Sequence, residues 1–302
     1  MDSFLNDFKN AWNRPNNALP QLIIINVVVF VGLAILQLFG KVSFISPIAT
    51  FVHEQFLLPS RLDEFIFRPW TLFTYSFGHS LGRIGHIFWN MIFLYWFGKL
   101  IVEYLGSQKL INLYVLGAVT GGLLYLVTYN LIPGLNDHPS VLVGASGAVY
   151  AITVAAATLV PNYTFYLLFL GPVKIKYIAL FGIIVSVIGL NGTNVGGELA
   201  HLGGAYIGYL YVKQLQKGSD WGTWIDGVMR FFKSFFVRQE KIKVSHKRST
   251  QKKSKPSSTK GTASNIADQA EIDKILDKIS QSGYESLSKE EKQKLFNASK
   301  KD

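Results

Sequence analysis

The feature that most limits the fold is an uncharged apolar segment near the amino terminus. From Pro20 to Gly40 the chain reads PQLIIINVVVFVGLAILQLFG and contains no Asp, Glu, Lys or Arg. A helix of about 20 apolar residues crosses the roughly 30 Å hydrocarbon core of a bilayer. The preceding stretch is polar and lacks the small-residue cleavage pattern of a signal peptide, so we predict a membrane span that is retained in the mature protein.

Five further apolar stretches predict an all-α polytopic membrane protein with six transmembrane helices. They cover about 86–105, 110–131, 141–160, 175–190 and 197–212. The run at 175–190 is short for a complete span, and the run at 141–160 contains Gly-Ala-Ser-Gly. Helices that begin or end inside a membrane are tolerated only where their polar backbone lines a cavity, so we expect a polar cavity between the helices.

The charged residues are few and unevenly distributed. Only 16% of the 302 residues are charged, yet the formal net charge is +11; soluble domains average roughly 25% charged residues. With six spans and an inner amino terminus, all but four of the 30 Lys and Arg residues fall on the inner side. Because cytoplasmic connections carry the basic excess, we predict that both termini are cytoplasmic and that the segment 41–85 is external.

Four regions are predicted from these patterns. They are a cytoplasmic N-terminal segment (1–20), a six-span domain (21–212), an interfacial and basic disordered linker (213–265) and a small helical hairpin tail (266–302). Within the linker, residues 220–236 are either an interfacial helix or a loop with aromatic anchors. In the tail, Ser288-Lys-Glu-Glu291 is a capping-box pattern that opens a helix. The basic run is interpreted as a solvated linker or as a segment that contacts anionic lipid. Nucleic acid is not expected as a partner. The sequence does not indicate a partner for the tail.

Polar residues are costly inside a membrane, so those within the predicted spans are functional candidates. They form three motifs: His86-Ile-Phe-Trp-Asn90, Gly144-Ala-Ser146-Gly147-Ala-Val-Tyr150 and Ala200-His201-Leu-Gly-Gly204. Each motif alone is more typical of helix packing or of a hydrogen-bonded structural histidine. Together they supply a hydroxyl, an imidazole base and an imidazole–amide donor pair, which are the groups that acyl transfer needs.

Several classes of protein are excluded or disfavoured. The chain has no cysteine, which excludes thiol nucleophiles, disulfides and Cys-ligated metals, and we expect no cofactor and no metal. A soluble serine hydrolase is excluded because the serine lies in a predicted span, within Gly-x-Ser-Gly rather than Gly-x-Ser-x-Gly. A small transporter would show internal repeats and acidic residues in mid-span, and neither is evident.

The motifs and their order resemble the rhomboid family of intramembrane serine proteases over roughly residues 65–212. The family patterns Gly-x-Ser-Gly, Ala-His-x-x-Gly and His-x-x-x-Asn correspond to the three motifs above. Gly98, Glu103 and Gly106 look like the family's turn between its second and third spans. The basic tail with Ser-Gly-Tyr at 282–284 resembles an appendage of Bacteroidetes-type members, which implies the inner (cytoplasmic) membrane of a bacterium.

The resemblance implies a serine endopeptidase that cleaves single-span membrane proteins near the outer end of their transmembrane helix. Ser146 would be the nucleophile and His201 the general base, as a dyad with no required aspartate. The backbone amide of Ser146 and the side chains of His86 and Asn90 would form the oxyanion hole, with Gly144 beside them.

The resemblance also implies a supporting structure around this dyad. The supporting residues are Tyr150, which would stack on the His201 ring, and Gly147, Gly204 and Gly208, which would let the fourth and sixth spans approach closely. The fifth span would be the lateral gate for substrate, and residues 190–197 would form a flexible lid.

Two further polar residues lie close to the motifs. Many family members have a histidine at the position of Leu81; His79 lies two residues too early, so we interpret it as a loop residue. Glu198 precedes His201 by three residues and either orients it or, as we favour, faces the wet mouth of the site.

The alternative function is a catalytically inactive relative that acts as a membrane chaperone or binding protein, disfavoured because Ser146 and His201 are both present.

Overall fold

The computed structural model describes residues 17–135, 137–236, 271–279 and 286–298. The chain divides into two compact units, residues 1–239 and 240–302. The first unit contains all of the predicted spans and is mostly helical. Most of the predicted N-terminal segment and the basic run at 241–265 lie outside the described residues.

Ten helices of the first unit are described, together with two short antiparallel strand pairs that the all-α prediction omits. The helices are α1 Ala18–Phe39, α2 Ser46–Glu54, α3 Leu62–Phe65, α4 Thr71–Thr74, α5 Ile84–Leu105, α6 Ser107–Leu131, α7 Ser146–Leu159, α8 Ile175–Gly189, α9 Val195–Gln216 and α10 Thr223–Phe236. Strand β1 (Leu58–Pro59) pairs with β2 (Val141–Leu142), and β3 (Thr164–Leu167) pairs with β4 (Gly171–Lys174).

Two of the described helices, α1 and α6, are both long enough and apolar enough to cross a membrane. Helices α7 and α8 are apolar but contain only 14 and 15 residues. The stretch predicted from residue 141 begins its helix at Ser146, because Val141 and Leu142 pair with β1 instead. Helices α5 and α9 have 22 residues each but include charged side chains, so a crossing by all six helices remains a prediction.

The segment between α1 and α5, predicted to be external, folds into three short helices and strand β1. Its main brace is Arg68, whose guanidinium lies 3.0 Å from the Glu54 carboxylate and 3.6 Å from that of Glu64. The Trp70 indole N–H donates to the Gln55 side-chain oxygen at 3.0 Å. These contacts join α2, α3 and α4 into one structured connection.

The core of the first unit forms where α7 packs against α6 and α9. A Cβ added at Gly204 or Gly208 of α9 would overlap the carbonyl oxygen of Gly147 or Ala151 on α7. A Cβ added at Gly121 of α6 would lie 2.7 Å from a carbonyl oxygen of α9. Because side chains are absent at these crossings, the helix backbones touch directly, as is usual where helices associate through small residues.

A β-hairpin made of β3 and β4, which was not predicted from the sequence, connects α7 to α8. Its base packs against α5, where the ring centroids of Phe165 and Phe97 are 5.3 Å apart. Its tip is different, because the three apolar side chains at 168–170 are 73% to 95% exposed. Phe169, the most exposed of them, has a left-handed φ of 71°.

An ionic cluster joins the start of α6 to the segment after α9. The Lys109 ammonium donates to the Asp220 carboxylate, which also accepts the Tyr211 hydroxyl at 2.9 Å and the Gly222 N–H at 2.9 Å. Burial acts to raise the pKa of Asp220, but these donors outweigh burial and hold that pKa below its ordinary value. The cluster lies just before α10, and the helix at Thr223–Phe236 agrees with the helical alternative for this part of 220–236. Its interfacial position stays a prediction.

The second unit contains a helix at 271–279, here α11, and α12 (Lys289–Ala298). The predicted capping box is present: Glu291 N–H donates to Ser288 Oγ at 3.2 Å, and Ser288 N–H donates to the Glu291 carboxylate at 2.7 Å. Lys278 of α11 also donates to the Glu291 carboxylate, at 3.0 Å. Residues 280–285, between the two helices of the predicted hairpin, lie outside the described residues.

Candidate active site

Ser146 is the first residue of α7, so its hydroxyl lies at the amino end of a 14-residue helix. The first N–H groups of a helix have no intrahelical acceptor, and the bond from Val149 N–H to Ala145 O, at 2.9 Å, begins the ladder here. The N–H of Ser146 is therefore not used by the helix, and the helix dipole gives this end partial positive charge. A developing anion next to the Ser146 hydroxyl would be stabilised at this position.

The backbone immediately before Ser146 is fixed by the connection between α1 and α5. Gly144 N–H donates to Tyr75 O at 3.0 Å, and Ser140 and Ser60 exchange hydrogen bonds at 2.9 and 3.0 Å. The β1–β2 pairing lies between these two points. The serine is thus positioned from both sides, by the core packing of α7 and by this clamp.

His86 lies in the first turn of α5 and packs directly against Gly144. Gly144 has φ of +134°, and a Cβ there would lie 2.7 Å from Cε1 and 2.9 Å from Nε2 of His86, so only glycine fits. Asn90, one helical turn further along α5, is 6% exposed and donates one amide N–H to His86 O at 2.8 Å. Within the described part of the chain its second amide hydrogen has no acceptor and is available to another one.

The ring of His201 on α9 is held by three side chains. Tyr150 stacks on it, with ring centroids 4.2 Å apart and the planes 3° from parallel. Its Nδ1 lies 3.1 Å from Ser186 Oγ and 3.1 Å from Glu198 Oε2. Our preferred interpretation of Glu198, that it faces the mouth of the site, is therefore wrong. Glu198 precedes His201 by three residues on α9, so the two side chains share a face of the helix and the carboxylate contacts the histidine.

The four motif side chains Ser146, His201, His86 and Asn90 all line one cavity of about 670 Å³. Tyr150 also lines it, together with Asn194 at the start of α9. The hydrogen bonds of the described residues do not include one between Ser146 Oγ and the His201 ring, whose contacts lie at Nδ1. In proteins without bound substrate such a catalytic contact is often long and shortens only in the complex.

His79 occupies a loop, as interpreted from the sequence, but it is not a surface residue. It is 1% exposed, and its ring centroid lies 5.3 Å from that of His86. Burial, with a further contribution from His86, lowers the pKa of His79 to about 4, so the ring is neutral at ordinary pH. A neutral ring here backs His86 without adding charge to the cavity.

Comparison with known proteins agrees with the motifs. The rhomboid domain family matches residues 67–217, which is half of the chain. The chain belongs to the rhomboid family. Membership in this family makes the chain a membrane protein, and its two long apolar helices agree with that. The family inferred from the three motifs is confirmed. A second match, to a family of unknown function (DUF6576), covers residues 263–301.

Three relatives come from Arabidopsis thaliana. RHOMBOID-like protein 12, mitochondrial, is 35% identical over 182 residues, which cover 55% of this rhomboid and 53% of the relative. Rhomboid-like protein 17, chloroplastic, is 30% identical, covering 50% and 55%. Rhomboid-like protein 16, chloroplastic, is 29% identical, covering 70% and 67%. The chain therefore spans about half the length of the first two relatives.

Ser186 is the residue near the site that the sequence analysis missed. It lies in α8, a helix with three buried residues among its 15, and its side chain is completely buried. A serine in an otherwise apolar run was the available signal. Its significance depends on the packing of α8 against Tyr150 and His201 of this rhomboid, which no local pattern encodes.

Proposed function

We propose that this rhomboid is an intramembrane serine endopeptidase whose nucleophile is Ser146 and whose general base is His201. The observation that carries the proposal is the shared cavity. It brings a hydroxyl at a helix amino end and an imidazole with an engaged Nδ1 together with two side-chain donors from α5. This is a nucleophile, a base and oxyanion donors around one space large enough for a peptide segment.

In the first chemical step, Ser146 Oγ attacks the scissile carbonyl carbon and its proton passes to Nε2 of His201. The carbonyl oxygen becomes an oxyanion, which accepts hydrogen bonds from the Ser146 N–H, from His86 and from the free amide hydrogen of Asn90. Gly144 leaves room for the His86 ring beside this position. The loss of one such donor typically reduces the rate by about 10²–10³-fold.

In the second half of the reaction the same groups act in reverse. The imidazolium of His201 gives its proton to the leaving amine as the peptide C–N bond breaks, which leaves an acyl ester on Ser146. A water molecule in the cavity then attacks the ester while His201 accepts its proton. The ester bond breaks, Ser146 Oγ takes the proton back and the new carboxyl product leaves.

The proposed substrates are single-span membrane proteins. Their helices would unwind near the outer end, because only an extended strand exposes a carbonyl to Ser146, and unwinding in lipid favours segments with small or helix-breaking residues. Helix α8 is the proposed lateral gate, since few of its residues are buried. The proposed lid is shorter than the sequence suggested, because α9 already begins at Val195.

The proposed topology has six membrane crossings with both ends of the chain on the inner side. The excess of Lys and Arg in the connections assigned to that side supports it. The tail favours the inner membrane of a Bacteroidetes-type bacterium, whereas the Arabidopsis relatives are named for organelles. On this topology the β3–β4 hairpin lies at the inner face of the membrane.

The hairpin tip is expected to insert into the inner leaflet. Its three apolar side chains are exposed, and Lys174 and Lys176, which follow at the start of α8, are placed to meet lipid phosphates. Because the chain has no cysteine, Phe169→Cys can carry a single nitroxide in protein reconstituted into vesicles. We expect that nitroxide to collide more with oxygen, which concentrates in the bilayer, than with a water-soluble nickel chelate.

Ser219→Cys is the matched control for this measurement, because Ser219 is exposed in the polar turn after α9. Its nitroxide should be more accessible to the nickel chelate than to oxygen. Equal nickel accessibility at positions 169 and 219 would show that the hairpin tip lies in water.

The proposed function is tested by labelling the purified protein with a fluorophosphonate probe, which reacts only with an activated serine. We expect the wild type to be labelled and Ser146→Ala to remain unlabelled at the same protein concentration. A folded wild type that is not labelled, while a known serine protease in the same detergent is, would contradict the proposal and favour the inactive, substrate-binding alternative.

A further inference from the structure

Two oxygen atoms from different helices contact the same atom of the catalytic histidine. Glu198 Oε2, from the first turn of α9, and Ser186 Oγ, from α8, each lie 3.1 Å from His201 Nδ1. The Glu198 side chain is 16% exposed and Ser186 is completely buried. A dyad that needs no further group does not require either contact.

The chemistry of these partners selects one tautomer of His201. An ionised carboxylate only accepts hydrogen bonds, so the bond to Glu198 requires a proton on Nδ1. Ser186 donates its own hydrogen to the Tyr150 hydroxyl at 3.2 Å, and Tyr150 donates to Gly182 O at 3.3 Å. The lone pairs of the Ser186 hydroxyl therefore remain available to accept a hydrogen bond from Nδ1–H. Both contacts thus favour a proton on Nδ1, and a neutral ring with its proton there has an unprotonated Nε2.

The carboxylate is held in place by the end of α8. A Cβ added at Gly189 would lie 2.8 Å from Cδ and 2.9 Å from Cγ of Glu198, so the glutamate side chain packs against bare backbone there. Glu198 thus lies between α8 and His201, and Ser186 lies between α8 and the stacked pair of Tyr150 and His201. If α8 moved, Ser186 would leave His201, whereas Glu198, which belongs to α9, would lose only its packing against Gly189.

We propose that Glu198 and Ser186 are positioning residues that fix His201 as its Nδ1–H tautomer, which gives the site a third, acidic member. The inference rests on the proposed protease function. Ser186 belongs to α8, the helix proposed as the gate. Displacement of α8 during substrate entry therefore releases the Ser186 hydrogen bond to His201, and the return of α8 restores that bond.

The kinetic test compares Glu198→Gln and Ser186→Ala with wild type in the cleavage of a reporter single-span protein. The glutamine amide can donate to Nδ1 and so stabilise the wrong tautomer, and a tautomer error in a related catalytic arrangement costs about 10⁴-fold in kcat. With Ser186 still accepting, we expect Glu198→Gln to lower kcat by about 10²-fold and Ser186→Ala by about tenfold, with KM changed less than twofold. Glu198→Asp should recover part of the kcat lost in Glu198→Gln.

Glu64→Gln is the matched control, because it removes an exposed carboxylate that pairs with Arg68 outside the cavity. It should retain wild-type kcat, since surface ion pairs contribute little. Thermal unfolding of each variant separates loss of fold from loss of kcat. Wild-type kcat in both Glu198→Gln and Ser186→Ala would refute the proposal.

A spectroscopic test does not depend on proteolysis. The chain has six histidines, so ¹⁵N-histidine spectra can be assigned to His201 by comparison with His201→Gln. We expect protonated Nδ1 and unprotonated Nε2 in wild type, and a shift toward protonated Nε2 in Glu198→Gln. An Nε2-protonated wild type would overturn the inference. Absence of cleavage with the expected spectrum would instead count against the proposed function alone.

Discussion

Replacing Ser146 with alanine is expected to abolish cleavage of a reporter single-span protein in reconstituted vesicles. Removal of the nucleophile in serine proteases lowers kcat by about 10⁶-fold, and removal of the histidine base has a similar effect. His201→Ala should therefore be equally inactive, and the double variant should be no worse than either single one, since the two groups act as a unit. The measurement is the appearance of both cleavage fragments on gels.

Thr158→Val provides the control for this pair. Thr158 lies on the same helix, and among the described residues its hydroxyl bonds only to the helix carbonyl of Val154, at 2.7 Å. The valine variant should cleave the reporter at the wild-type rate. Cleavage by purified Ser146→Ala at a rate near that of Thr158→Val would exclude Ser146 as the nucleophile.

The second large effect is expected at the contact between α7 and α9. A Cβ at Gly204 would overlap the carbonyl oxygen of Gly147, and backbone cannot move aside as a flexible side chain can. Gly204→Ala should therefore lower the free energy of unfolding by about 3 kcal/mol, the upper part of the usual range for overpacking. It should also reduce cleavage, because moving α9 away from α7 separates His201 from Ser146. Unfolding in detergent and reporter cleavage measure the two effects.

Gly32→Ala makes the same chemical change at a place with free space. Gly32 lies in α1, and a Cβ there meets no atom within 4 Å. Alanine is the better helix former by about 1 kcal/mol, so this variant should be as stable as wild type or slightly more stable, with full activity. If the Gly204 and Gly32 variants behaved alike, direct backbone contact would not determine the geometry of the site.

The parts of this fold that could be predicted from sequence are those encoded by local composition. Uncharged apolar length identified α1 and α6, and the early Gly-Ala-Ser-Gly sequence correctly indicated that the helix at Ser146 is short. The helices between α1 and α5 were not predicted, because they are at most nine residues long and are stabilised by Arg68 and its partners. The β3–β4 hairpin was not predicted either. Its apolar tip gives no local signal that distinguishes a hairpin from any other hydrophobic run.

The residues of the candidate site likewise fall into those that the sequence predicts and those that it does not. Its motif residues could be found because each has a polar group where lipid-facing composition would exclude one. The contacts of Glu198 and Ser186 with His201 could not be found, because they depend on how α8 and α9 face each other. The same holds for His79, whose burial follows from the packing of a loop that has no periodic pattern.

The short length of α8 has a consequence for the lipid around the protein. Its 15 residues extend roughly 22 Å, whereas the hydrocarbon layer is about 30 Å thick. When the protein is embedded as proposed, the bilayer beside α8 must thin to match the length of this helix. A substrate helix of ordinary length that diffuses from the thicker bulk membrane into this region is then too long by roughly a turn and a half. Hydrophobic mismatch would push its last turns out of the lipid beside the cavity, before any contact with Ser146.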